Sequence, residues 1–156
     1  MMYHIPVMLE ESLDSLCINK GGIYVDLTYG GGGHSNGILN ILGKKGKLLA
    51  FDQDLDAINN KINDDRLLLI NQNFKHLKQN LNYYGFNEVD GVLADLGVSS
   101  FQFDQPERGF SIRSDSDLDM RMNKNSELTA PHILNNYTES SLAQILFEYA
   151  DLRNSK

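Results

Sequence analysis

The sequence predicts an α/β protein built on an open, doubly wound parallel sheet. Apolar, strand-like segments alternate with amphipathic helical segments four times before Gly97. Helical crossovers between parallel strands produce this alternation. The run KLLAFD at 47–52 is almost continuously apolar, which is typical of a strand covered on both faces. A chain of 156 residues is long enough for one domain with its own core.

The individual elements follow from periodicity and from end signals. The predicted strands are residues 21–28, 47–52, 66–71 and 89–96. The first predicted helix follows Pro6 and the second begins at His34. The third is capped by Asp54 and extends to Ile62, and the fourth begins at Phe74.

The alternation stops after Gly97. Residues 98–126 form a long polar connection, which predicts a functional or disordered segment. Two helices then close the chain. Thr129 and Pro131 open the first, and Thr138 caps the second.

Composition limits the class of protein. The single Cys17 rules out an internal disulfide framework, and the histidines lack zinc-site spacing, so we expect no metal site. No export signal or membrane-length apolar run is visible, which predicts a cytoplasmic protein without a membrane partner. A net charge of -7 disfavours a diffuse basic surface for nucleic acid. The neutral stretch 106–124 is the most favourable place for an anionic partner.

Four glycines, Gly30–Gly33, separate the first strand from the second helix. This turn lies where open α/β sheets bind ligands, and glycines allow a ligand to approach the main chain. A flexible turn without a ligand is the alternative. A dinucleotide fingerprint requires a third glycine where Ser35 or Asn36 stands, and a P-loop requires a G-K-[ST] sequence that is absent.

Two acids end neighbouring strands beside this turn. Asp52, about twenty residues after the glycines, is placed to accept hydrogen bonds from ribose hydroxyls, as in sites for NAD or S-adenosylmethionine. A helix-cap role for Asp52 is the alternative. Asp95 ends the fourth strand, where a carboxylate suits a methyl donor and an amine better than a diphosphate.

Three further segments carry a family resemblance together with the glycine turn and its acids. They are HIPVMLEESLDSL at the start, DLGVSSFQFDQPERGFSIRSDSDLDMRM after the fourth strand, and LTAPHILNNYTESSLAQILFEYADLRNSK at the end. These residues closely resemble the MraW/RsmH family. Its members are bacterial S-adenosylmethionine-dependent methyltransferases that act on the N4 amine of a cytosine in small-subunit ribosomal RNA.

The resemblance implies a set of site residues. Gly32, Gly33 and His34 would lie along the methionine and ribose of the donor, and Asp52 would hold the ribose. Phe74 would stack on adenine, unless it serves only core packing. Asp95 and Gln102 would complete the cofactor shell, and Asp95 would also be the catalytic residue that orients the amine. A helix-start role for His34 and an ordinary loop role for Gln102 are the alternatives.

The segment PERGFSIR resembles an RNA-facing loop. Arg108 and Arg113 would contact phosphates while Phe110 offers a stacking face. A packed lid, with Arg108 paired to an acid, is the alternative. Calcium binding by Asp115, Asp117 and Asp119 is rejected because Met120 replaces the required glycine.

The resemblance also implies an incomplete chain, because family members are about twice as long. We expect a Rossmann-like donor domain of the class I methyltransferase type at 1–103. Residues 104–156 would form the RNA-facing loop and the start of a helical inserted domain. A sheet of order 3-2-1-4 would leave the fourth strand as an exposed edge, which predicts self-association.

Two other functions remain open. One is a catalytically silent fragment that binds the cofactor or RNA, and the other is an NAD-dependent dehydrogenase on the same sheet.

Overall fold

A computed structural model describes residues 6–153. Within it the chain divides into two compact units, the first running up to Ser100 and the second beginning at Phe101. The first residues of the HIPVMLEESLDSL segment and the last three residues of the chain lie outside the described part.

The first unit is built on a four-stranded sheet. Its strands are β1 (Ile23–Asp26), β2 (Lys47–Phe51), β3 (Leu67–Ile70) and β4 (Gly91–Leu93). All pairings are parallel and the order is β3-β2-β1-β4. The predicted fold class and strand order are therefore confirmed. Asp26, the last residue of β1, stands opposite Ala50 of β2 and Leu93 of β4.

One helix precedes the strands and three connect them. The helices are α1 (Leu9–Leu16), α2 (Gly33–Ile41), α3 (Leu55–Ile58) and α4 (Leu77–Tyr83), and a 3-10 turn at Phe74–His76 precedes α4. Gly85, with a φ of 79°, follows the end of α4 as the sequence predicts.

Two apolar clusters form the core. Tyr24 and Leu48 pack with Ile38 and Leu39 of α2 in one cluster. Val25 and Leu49, their neighbours along the strands, belong to the other, against which Leu77 and Leu81 of α4 pack. Successive strand residues point to opposite faces, so the two clusters lie on the two sides of the sheet. Each buried aliphatic side chain contributes about 1.5–3 kcal/mol to folding.

Several predicted elements extend too far. β1 contains only Ile23–Asp26 of the predicted 21–28. α3 ends at Ile58 rather than near Ile62, because the Tyr29 hydroxyl forms hydrogen bonds with the main chain that follows. The Tyr29 hydroxyl donates to the Asn60 carbonyl at 3.0 Å and accepts from the Ile62 amide at 3.0 Å. β4 contains only Gly91–Leu93 of the predicted 89–96. The Asp95 amide, two residues beyond it, donates to the Thr28 hydroxyl.

The second unit is mainly helical. Its elements are α5 (Ser100–Asp104), which starts at the junction, a 3-10 turn at Pro106–Arg108, α6 (Ala130–Asn136) and α7 (Glu139–Ala150). Thr129 and Thr138 cap α6 and α7 through their side chains, as predicted. The polar connection at 98–126 therefore contains α5 and a 3-10 turn.

Candidate functional site

The crevice expected for a ligand lies outside the carboxyl ends of β1 and β4. β1 pairs with β2 on one side and with β4 on the other, so the direction of the crossovers reverses there. Ligands of open α/β sheets bind at such a reversal. Asp26 ends β1 at this edge, and the segments that leave the strands carry Thr28, Asp52 and Asp95.

The glycine turn follows β1 and leads into α2. Gly32 has a φ of 77°, which disfavours a side chain, and a Cβ on it would stand 2.8 Å from the Tyr29 hydroxyl. A Cβ on Gly33 would overlap the ring of Pro6. The packing of the protein itself therefore requires these two glycines. The case for a ligand rests on where the turn lies and on the side chains around it.

Asp26 fixes the glycine turn to the end of β1, a role that the sequence analysis did not predict. It is fully buried, and its Oδ2 accepts from the Ser35 hydroxyl at 2.7 Å. Its Oδ1 accepts from the Thr28 amide at 3.0 Å. Burial raises the pKa of the Asp26 carboxyl, and the two hydrogen bonds oppose this shift. The available signal was an acid at the end of an otherwise apolar strand.

Asp52 ties the glycine turn to the end of β2. Its Oδ2 accepts from the Gly30 amide at 2.8 Å, and its Oδ1 accepts from the Asp54 amide at 2.9 Å. Burial raises the pKa of Asp52, although both hydrogen bonds oppose the shift. The cap of α3 is Asp54, whose side chain accepts from the Asp56 amide. The helix-cap alternative for Asp52 therefore does not describe this structure.

Phe74 stands at the corresponding end of β3. Its side chain is 39% exposed and belongs to neither core cluster within the described residues. The preceding Asn73 caps the 3-10 turn and donates to the Gln53 side chain at 3.1 Å. Asn73, the residue before Phe74, thus contacts the segment that follows Asp52, and Phe74 has ring surface available to solvent.

His34 and Asp95 face one another across the crevice. The His34 side chain is 7% exposed, and its Nδ1 lies 3.8 Å from Oδ2 of Asp95, whose side chain is 61% exposed. In the described part of the chain, His34 Nε2 is buried without a hydrogen-bond partner. A buried ring nitrogen of this kind is one that a ligand can satisfy.

The remaining predicted residues lie in the second unit. Gln102 is buried and Arg113 is exposed. Arg108 is only 1% exposed, and its Nη2 donates to the Arg121 carbonyl at 2.8 Å. Its guanidinium lies 5.9 Å from the centre of the Phe110 ring. This arrangement favours the packed-lid alternative for Arg108.

Arg121 stabilises the same loop. Its Nε donates to Oδ1 of Asp119 at 2.8 Å, and its Nη1 donates to the Ser126 carbonyl at 2.6 Å. The Arg121 guanidinium lowers the pKa of Asp119. Asp119 is thus engaged by an arginine.

The described residues contain neither a candidate metal site nor a candidate membrane span. Over residues 6–153, no group of three or more His, Cys, Asp or Glu side chains is arranged to hold a metal ion. No helix in this range is both long and apolar enough to cross a membrane.

Comparison with known proteins gives consistent matches along the whole chain. The model of the MraW methylase family matches residues 1–156. A protein of Christiangramia forsetii named ribosomal RNA small subunit methyltransferase H is 56% identical over 155 residues, which are 99% of this chain and 51% of that protein. A protein of the same name from Bacteroides fragilis is 52% identical over 154 residues, again 99% of this chain and 51% of that protein.

The chain spans about half the length of the curated relatives it matches. The matched half includes the sheet, the glycine turn and the acids at the strand ends. A family model that matches every residue, and a sheet of the expected order, lead to one conclusion. The chain belongs to the MraW methylase family.

Proposed function

We propose that this chain carries the donor-binding half of an S-adenosylmethionine-dependent methyltransferase. Its acceptor would be the N4 amine of a cytosine in small-subunit ribosomal RNA. The observation that carries the proposal is that Asp52, after β2, bonds to Gly30 of the glycine turn and Asp95, after β4, lies beside His34. Phe74 follows β3 at the same edge of the sheet. The family and the names of its relatives support methyl transfer and the RNA substrate.

Each residue has a distinct part in holding the donor. Asp52 has carboxylate oxygens available for the ribose hydroxyls beyond its two backbone bonds. The exposed face of Phe74 suits adenine. Gly32, Gly33 and His34 would border the methionine portion, and the unpartnered His34 Nε2 offers it a polar contact. The assignment of Gln102 rests on the family resemblance.

The donor supplies an electrophilic methyl group on a sulfonium. The protein must then position the amine and stabilise the shifting charge. Asp95 would accept a hydrogen bond from the N4 amine, which localises a lone pair that is otherwise delocalised into the ring. Its exposed carboxylate can be reached from outside the sheet.

RNA would be contacted by the second unit, and the protein would act in the cytoplasm, where ribosomal subunits assemble. Arg113 is exposed and suits a phosphate contact. Phe110 would contribute a stacking face, and Arg108 would support the loop through its buried hydrogen bonds.

A silent donor-binding fragment is the second candidate function. The observation behind it is that this chain covers 51% of the Christiangramia forsetii relative. Donor contacts would survive in such a fragment, whereas selection of RNA would depend on residues in the other half.

Calorimetric titration with S-adenosylmethionine, S-adenosylhomocysteine and NAD tests the proposal. We expect the two sulfur ligands to bind and NAD to leave no signal. Binding of NAD alone would support the dehydrogenase instead. Transfer of labelled methyl groups to undermethylated small subunits then separates an active enzyme from a silent fragment, with a full-length relative as the positive control.

A further inference from the structure

A hydroxyl group joins the ends of β1 and β4. Thr28 Oγ1 accepts a hydrogen bond of 2.8 Å from the Asp95 amide. Thr28 Oγ1 also lies 3.5 Å from Asp26 Oδ1. The Thr28 amide donates a hydrogen bond of 3.0 Å to the same Asp26 Oδ1. The Thr28 hydroxyl can therefore donate towards buried Asp26 while it accepts from Asp95.

The side chain of Asp95 has its own neighbour. His34 Nδ1 lies 3.8 Å from Asp95 Oδ2, and the imidazole is buried on the first turn of α2. That turn is fixed in its place because the adjacent Ser35 hydroxyl is bonded to Asp26. The main chain and the carboxylate of Asp95 thus face two different partners. Thr28 is bonded to Asp26 directly, and His34 is adjacent to Ser35, which is bonded to the same buried acid.

We propose that Thr28 and His34 are positioning residues for Asp95. They hold its negative charge towards the crevice, so that the site prefers the positively charged sulfonium donor over the neutral thioether product. This inference rests on the proposed function, since it assumes that the donor binds in this crevice. Such a preference would favour exchange of the product for fresh donor after each reaction.

A ratio of affinities isolates this effect from ordinary contacts. The donor and the product share adenine, ribose and the amino acid portion, and they differ by the methyl group and the positive charge. A residue that touches only the shared parts changes both affinities by the same factor. A residue that places the Asp95 charge changes their ratio.

The experiment measures both affinities by calorimetry in the full chain and in four variants. Asp95→Asn removes the charge and keeps the shape. Thr28→Val removes the hydroxyl and keeps the branching, and Thr28→Ser is its matched control. His34→Gln removes the imidazole and retains a polar side chain. Thermal unfolding of each variant verifies that it is folded.

We expect Asp95→Asn to lower the ratio of donor affinity to product affinity by roughly two- to fivefold, the range for an exposed charge pair. Thr28→Val and His34→Gln should also lower this ratio. Thr28→Ser keeps the hydroxyl and should leave the ratio as it is in the unaltered chain. If Thr28→Val does not fold, His34→Gln alone decides. An unchanged ratio in the folded positioning variants, or in Asp95→Asn, would overturn this inference and leave donor binding intact. Failure of both ligands to bind the unaltered chain would overturn the proposed function and this inference with it.

Discussion

The carboxylate of Asp26 accepts a hydrogen bond of 2.7 Å from the Ser35 hydroxyl, and both residues are fully buried. The bond fixes the first turn of α2 against the end of β1. Between these two residues lies the whole glycine turn. The position of the turn is therefore set by a buried polar contact as well as by the packing of Pro6 and Tyr29 on its glycines.

The first prediction concerns Asp26 and pH. Burial raises the pKa of Asp26 above its ordinary value of 3.8. At a pH between 3.8 and the raised pKa, the folded protein therefore holds a proton that the unfolded chain has released. The free energy of unfolding should therefore fall as pH rises through this window. Asp26→Asn should reduce that fall by about 1.4 kcal/mol for each unit by which the pKa is raised.

Urea unfolding at several pH values from about 4 to 7 measures this effect. Asp65→Asn, at an exposed acid before β3, is the matched control and should retain the slope of the unaltered chain. The same slope in Asp26→Asn would show that Asp26 is not the source. Part of the slope should remain in any case, because burial also raises the pKa of Asp52.

The second prediction concerns Asp52 and the donor. Asp52→Ala should weaken S-adenosylmethionine binding by about 1.5–3 kcal/mol, the range for charge-assisted hydrogen bonds. Because the pKa of Asp52 is raised, the unaltered chain should begin to lose affinity at a higher pH than an ordinary aspartate would require. Calorimetry across pH measures both effects.

Asp56→Ala serves as a control, since Asp56 lies within α3 and not at the end of β2, where Asp52 contacts Gly30. Equal donor affinity in Asp52→Ala and in the unaltered chain would remove Asp52 from the site.

The third prediction separates turnover from binding. Asp95→Asn should lower the rate of methyl transfer far more than total donor affinity if its carboxylate orients the amine. Single-turnover transfer of labelled methyl groups, with calorimetry on the same samples, distinguishes the two quantities. The matching substitution in a full-length relative provides the test if this chain is inactive. Equal losses in rate and affinity would make Asp95 only a donor ligand.

Local patterns predicted the parts of the fold that depend on neighbouring residues. The apolar runs and the caps at Thr129 and Thr138 predicted which strands and helices occur but not all of their ends, and the expected order 3-2-1-4 is confirmed. Contacts between distant residues set the features that were missed. Tyr29 ends α3 through bonds to residues 31 and 33 positions away, and no periodicity within α3 indicates this.

The candidate site shows the same division. Asp52 and Asp95 could be identified because acids after strands share one edge of a parallel sheet. Asp26 could not, since its role depends on burial beneath the turn and on Ser35. Arg108 was expected to contact phosphate in an RNA-facing loop, with a packed lid as the alternative. Its buried bonds to the Arg121 and Met122 carbonyls depend on a loop conformation that composition does not specify.

The fourth prediction contrasts the two arginines of the second unit. Arg108→Lys should destabilise the loop by about 1–3 kcal/mol, because a lysine cannot replace the forked guanidinium against buried carbonyls. Limited proteolysis within 106–122 should become faster. Arg113→Ala should leave proteolysis unchanged, because its side chain is exposed, and should lower the salt dependence of RNA binding by about one phosphate contact. Faster cleavage in both variants would contradict this separation.

The last prediction concerns the free side of β4. Within residues 6–153, β4 pairs only with β1, and Val92 at its centre is 45% exposed. Beside it a cavity of about 370 Å³ runs along α1, where Met8 and Leu16 contribute apolar surface. An open strand edge next to apolar surface favours pairing with a second chain. We therefore expect this chain to self-associate. Because the chain covers about half of its relatives' length, we also expect it to bind donor weakly and to methylate small subunits little.

Light scattering over a concentration series measures the association. Val92→Lys should reduce it because a charged edge opposes pairing, whereas Tyr83→Lys, at an 82% exposed residue of α4, should not. Equal association in the two variants would place the contact elsewhere. A monomer with full turnover would show that the second half of the relatives is dispensable for the reaction.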